Sequence, residues 1–180
     1  MSSEIRNLRF SQLTVLLHWV TVLLFIAVYC SMEFRDIFER GTTGRELMKT
    51  THYWFGLSIL LLLLPRLLAR FRQHTPAIEP PQPHWQHKLA IWVHLALYVL
   101  MLLMPLIGWL LLSAEGKELS YLGLQLPALM APNEVWAERF EELHELGAKA
   151  GYALIAVHAL AALFHHYVLK DNTVKRMMLK

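Results

Sequence analysis

Four stretches of the chain lack Asp, Glu, Lys and Arg altogether: Phe10 to Met32, Thr50 to Pro65, Leu89 to Ala114 and Ala150 to Leu169, of 23, 16, 26 and 20 residues. A helix of about 18 apolar residues is long enough to cross the hydrocarbon core of a bilayer, so three of the runs qualify outright. The second stops at Arg66, but Leu67, Leu68 and Ala69 follow before Arg70. That helix is expected to continue while both arginines snorkel to the headgroups. The first run is too long for the h-region of a signal peptide, and three more follow it, so it is expected to be retained. Only 17% of the residues are charged, against about 25% in a soluble domain. The expected fold is an all-α integral membrane four-helix bundle, one unit over residues 1–180 with spans near 10–32, 48–70, 87–113 and 142–169.

Lys and Arg gather on the cytoplasmic side of a membrane protein, and four spans place both termini on one side. With the termini inside, the inner segments hold ten basic residues and three acids, Glu4, Glu79 and Asp171, for a net +7. The outer segments hold seven basic residues and eleven acids, for a net −4. The asymmetry predicts an N-in, C-in protein of the bacterial plasma (inner) membrane. Thr75 to Pro83, with Pro76, Pro80, Pro81 and Pro83, reads as a stiff connector between spans two and three. Glu115 to Pro132 reads as an outer loop. Asn133 then caps a last helix that starts outside the membrane with Glu134, Glu138, Glu141, Glu142 and Glu145.

Ten histidines stand out in so apolar a chain. Ionisable groups inside a membrane are costly and point to function, so depth sorts them. His18 lies about 12 Å into span one and His158 about 16 Å from the same face of span four, at 1.5 Å per residue. His52 and His144 share the outer level. His144 and His158 are fourteen residues apart, close to four turns, so their imidazoles face one way about 21 Å apart. That spacing suits two stacked haems held by the pairs His18–His158 and His52–His144, and bis-imidazole ligation suits electron transfer. Gly147 and Gly151 on the stripe between them, and Gly56 one turn below His52, would let a flat macrocycle approach the backbone; close helix packing explains the first two as well.

His94 is the rival inner ligand, although its shallower depth matches His165 better than His158. His94, His165 and Lys170 are candidates for a quinone or proton-handling site at the inner face. His74, His84 and His87 fall in the polar connector. No H-E-x-x-H occurs, which removes the zinc-protease reading. No Ser or Cys nucleophile lies near His144, which leaves hydrolysis unsupported. The single cysteine, Cys30, excludes an internal disulfide and the C-x-x-C-H attachment of a c-type haem.

The same residues carry a family resemblance. His18-Trp19, Tyr29-Cys30-Ser31-Met32-Glu33-Phe34-Arg35, Thr51-His52, and His158 followed by Phe164-His165-His166-Tyr167-Val168-Leu169-Lys170-Asp171-Asn172-Thr173 and Arg176-Met177-Met178 resemble the bacterial cytochrome b561 family over nearly the whole chain. The resemblance implies a four-helix membrane bundle with two b haems, whose axial histidines fall on His18, His52, His144 and His158. It also implies electron exchange with the quinone pool, ubiquinone being the expected partner. Family members include one that oxidises superoxide at the outer face and reduces ubiquinone at the inner. Two activities therefore stay open: a superoxide:ubiquinone oxidoreductase, and a cytochrome b anchor or electron carrier for a partner oxidoreductase such as a hydrogenase. Arg35, Arg40, Arg45 and Lys49 beside His52 form either a basic funnel for an anionic donor or a solvated loop interleaved with Glu33, Asp36, Glu39 and Glu46. The expected partners are lipid, quinone and an outer-face donor, without nucleic acid.

Overall fold

Ser11 starts the first helix: its hydroxyl accepts from the Thr14 N–H at 3.2 Å and α1 runs over Gln12–Glu33. In this computed structural model, which describes residues 9–179, a short 3-10 turn at Arg35–Ile37 leads to Thr42, the cap of α2 (Thr43–Phe71). Pro83 precedes α3 (His84–Ala114), and the Asn133 side chain accepts from the Trp136 N–H at 3.1 Å to open α4 (Glu134–Tyr167). All four helices are long and apolar enough to cross a membrane. Glu4, Arg6 and Lys180, which enter the inner charge count, lie outside the described residues.

The closely packed pairs are α1 with α2 and α3 with α4, and α2 joins the two layers through α3. Leu57 and Leu112 with Leu119 form one buried cluster, and Ile59, Leu63 and Met101 form another. Leu23, Leu61, Leu64 and Leu160 each keep more than half of their surface exposed, which suits side chains facing lipid rather than water. The chain is thus a membrane four-helix bundle with its apolar surface outward.

Two features differ from the sequence expectation. The loop between α3 and α4 contains an antiparallel hairpin, β1 (Leu119–Tyr121) and β2 (Leu124–Leu126), turning on Leu122 and Gly123, both left-handed. Its breakers hide it, because Leu122 lacks the turn chemistry of Asn or Asp. The hairpin is tied to the bundle: Trp54 Nε1 donates to the Ser120 carbonyl at 2.9 Å, and Ser58 Oγ meets Tyr121 Oη at 3.0 Å. His84 and His87, in turn, open α3 instead of sitting in the connector, and both remain exposed, as does His74.

The end of the bundle that carries the connector between α2 and α3 is closed by residues after α4. Lys170, itself left-handed, turns the chain so that Asp171 returns to His165 and its N–H donates to the His165 carbonyl at 3.1 Å. Asn172 then binds the connector through the Glu79 N–H (3.0 Å) and the Ala77 carbonyl (3.2 Å). Arg176 is buried against the Pro76 carbonyl and the Phe10 ring, and Trp19 Nε1 donates to the Met177 carbonyl at 2.8 Å.

Candidate functional site

Helices α1, α2 and α4 bring four histidines into two facing pairs. The ring centres of His18 and His158 are 6.2 Å apart, and those of His52 and His144 are 5.9 Å apart. Metal–nitrogen bonds of about 2 Å set two axial imidazoles with their ring centres about 6 Å apart. Both pairs have that separation. His52 Nδ1 donates to the Val28 carbonyl at 3.1 Å, which fixes the tautomer that leaves Nε2 as a free donor to a metal. Nδ1 of His144 is buried without a hydrogen-bond partner among the described residues. Two imidazoles alone would leave a metal ion short of ligands, whereas a porphyrin would supply the remainder, so the donor set at each pair fits a haem.

His94 does not stand opposite His165. Its ring lies 5.2 Å from that of His158, and its Nδ1 donates to the Ala90 carbonyl. The depth estimate fails because α3 starts at His84, which puts His94 about 15 Å along the helix, and because α3 runs antiparallel to α4. The register between the two helices is regular. Gly108, fourteen residues after His94, lies against the His144 ring, where an added Cβ would approach Cε1 to 3.2 Å. Met104 fills the space over Gly147, and Leu100 lies beside Gly151. The separation of His94 from His158 is about 1 Å short of the axial spacing.

The three glycines read from the sequence divide. Gly56 has nothing within 4 Å of an added Cβ, so the space beside it is open. Gly147 and Gly151 meet side chains instead, Met104 and Tyr29, in close helix packing. Tyr29 donates to the Ala148 carbonyl at 3.1 Å, its ring centre is 4.1 Å from that of Tyr152, and Tyr152 in turn donates to Glu33 at 2.7 Å. Sequence reasoning missed Gly108 and this tyrosine bridge from α1 to α4. The signal for Gly108 was its fourteen-residue offset from His94.

Arg66 is a correction. It does not snorkel: Nη1 donates to the Leu17 carbonyl at 3.0 Å and to Thr21 Oγ1 at 3.1 Å, inside the bundle beside His18, while Arg70 is exposed. The geometry of α1 explains this, since the Thr21 hydroxyl and the Leu17 carbonyl it bonds form a polar notch at that level.

His165, Asp171 and Gln82 form a polar cluster at the connector end of the bundle. His165 Nδ1 donates to Asp171 Oδ2 at 2.7 Å, and Gln82 Nε2 donates to the same oxygen at 2.6 Å. Burial pushes the Asp171 carboxyl up, but donation from Thr173, His165 and Gln82 outweighs it and holds the group below the ordinary aspartate value. Lys170 is exposed at the turn beside this cluster, and the His94 ring stands against that of His158. At the opposite end of the bundle, Arg45 and Arg35 pair with Asp36 at 2.8 and 3.5 Å and Lys49 pairs with Glu46 at 2.7 Å, so three of the four basic side chains near His52 face carboxylates.

The family model described as prokaryotic cytochrome b561 matches residues 9–180. Cytochrome b561 homolog 1 of Escherichia coli (strain K12) is 42% identical over 94% of this chain and 97% of its own length. The probable superoxide oxidase CybB of Yersinia pestis is 37% identical over 96% of this chain and 97% of that protein. Cytochrome b562 of Cereibacter sphaeroides is 32% identical over 94% of each. The chain belongs to the prokaryotic cytochrome b561 family, b-haem electron-transfer proteins that cross the bacterial inner membrane several times.

Proposed function

We propose that this protein carries electrons across the bilayer between an outer-face donor and the quinone pool, using two b haems held by His18 with His158 and by His52 with His144. The observation that carries the reading is the pair of ring separations, 6.2 and 5.9 Å, with the two α4 partners, His144 and His158, close to four turns apart. A b haem held by two of these imidazoles would exchange single electrons and leave no open site for oxygen. The Val28 carbonyl orients His52, and the open space at Gly56 leaves room for a macrocycle edge. The +7 and −4 charge balance supports an N-in, C-in orientation, with His18 and His158 toward the cytoplasm.

At the inner face, His165 with Asp171 is the site proposed to hold a proton for ubiquinone, with Lys170 beside it; His94, next to His158, lies on the way inward. Superoxide is the first candidate donor, because a relative 37% identical is named a probable superoxide oxidase. A carrier role beside a partner oxidoreductase is favoured instead by the paired outer charges, which leave little free positive surface to steer an anion. The reading is tested by the absorption spectrum of the purified protein: two b-type haems per chain, reducible by dithionite, are expected, and a chain without reducible b-type bands overturns it. A pulse of superoxide onto the oxidised protein then separates the donors, since an oxidase is reduced by the pulse and a carrier is not.

A further inference from the structure

Arg66 is a cation inside the bundle with no carboxylate in contact among the described residues. Its Nη1 is used by the Leu17 carbonyl and Thr21 Oγ1, the Tyr98 ring centre lies 6.0 Å from the guanidinium carbon, and Nε is buried without a partner. Hydrogen bonds to neutral oxygens hold the group but leave its charge uncompensated, and a buried charge without a counter-charge is costly. The described acids of the inner half offer none: Asp171 is committed to His165, Gln82 and Thr173, and Glu79 makes no ion pair. The bonds to Leu17 and Thr21 place the guanidinium on the same turn of α1 as His18.

We propose that Arg66 is the binding cation for a propionate carboxylate of the haem held between His18 and His158. This rests on the di-haem reading above. A haem b carries two carboxylates at its edge, and a guanidinium with unused donors matches a carboxylate in both charge and fork geometry. A fixed cation at the edge of one haem disfavours its oxidised, more positive state, so Arg66 raises the potential of that haem and leaves the other alone. The second haem is therefore an internal control.

The test is a potentiometric titration of purified wild-type protein and of Arg66→Gln, Arg66→Lys and Arg70→Gln, followed in the visible spectrum with haem counted per chain. The expected result is a fall in one of the two midpoint potentials in Arg66→Gln, a smaller fall in Arg66→Lys, and wild-type values in Arg70→Gln. Two unchanged potentials in a variant that retains both haems overturn the proposal and leave Arg66 as a helix tie or a lipid-phosphate contact; equal shifts of both potentials overturn it too. If Arg66→Gln does not assemble, Arg66→Lys decides on the same criterion, because it keeps a charge but not the fork. A wild-type chain without two haems would defeat the di-haem reading instead, a result the haem count shows before any variant is titrated.

Discussion

The hydroxyl of Tyr29 on α1 rests where a β-carbon on Gly151 of α4 would lie, and it donates to the Ala148 carbonyl at 3.1 Å. Two helices that carry paired histidines are thus locked together midway between the two levels, and the lock needs a residue without a side chain.

Gly151→Ala is expected to push Tyr29 aside and to strain Leu100, whose Cδ2 would stand 3.2 Å from the new methyl. Overpacking of this kind costs about 1–3 kcal/mol. Tyr29→Phe in the same chain removes the clashing hydroxyl and should recover part of the loss, so thermal unfolding of the two single variants and the double should be non-additive. Additive losses would mean that the two residues do not interact.

His144→Ala should remove one haem and leave the other, because His18 and His158 form a separate pair. His94→Gln should keep both, since its ring stands closer to His158 than axial ligation allows. Haem content per chain measured after alkaline pyridine treatment reads both variants. Loss of the inner haem from His94→Gln with retention in His18→Ala would exchange their roles.

Asp171 ties the residues after α4 to the connector through Gln82, and the donors around it hold its carboxyl below the ordinary aspartate value. A depressed carboxylate contributes stability that is fully present above its ordinary value of 3.8 and is lost as pH falls through the lower folded value. Protection of the Thr173 amide, which donates to Asp171 Oδ1 at 2.8 Å, should therefore hold from neutral pH down to about that ordinary value and fade only below it. Asp171→Asn should lose the protection already at neutral pH, at a cost of about 1–3 kcal/mol, because a buried amide faces the donors of His165 and Gln82. Hydrogen exchange read by mass spectrometry distinguishes the two, and equal protection in both proteins would refute the assignment.

What was legible in the sequence was periodic. The fourteen-residue step from His144 to His158 is helix arithmetic, and Asn133 declares its helix start by side-chain chemistry. What was not legible depends on how one helix slides along another. Counting depth from the last charged residue put His94 level with His165, whereas the register of α3 against α4 sets His94 against His158 and Gly108 against His144. Arg66 was misplaced for a related reason: the polar notch it enters is made by a backbone carbonyl and a threonine on another helix, and neither leaves a trace in the residues around position 66.

The outer hairpin carries its own test. A two-residue turn of this kind needs both central residues left-handed, and Leu122 (φ 50°) and Gly123 (φ 83°) supply them. For leucine that conformation costs about 1–2 kcal/mol, whereas asparagine tolerates it through local hydrogen bonds. Leu122 is 68% exposed, so little packing is lost on replacing it. Leu122→Asn should accordingly raise the unfolding temperature of the detergent-solubilised protein, while Gly123→Ala should lower it. The hairpin touches Trp54 and Ser58, two and six residues after His52 on α2, so a haem held at His52 as proposed should show the gain as slower haem loss on heating. A Leu122→Asn protein less stable than wild type would show that the leucine contributes more by contact with lipid or detergent than it costs in backbone strain.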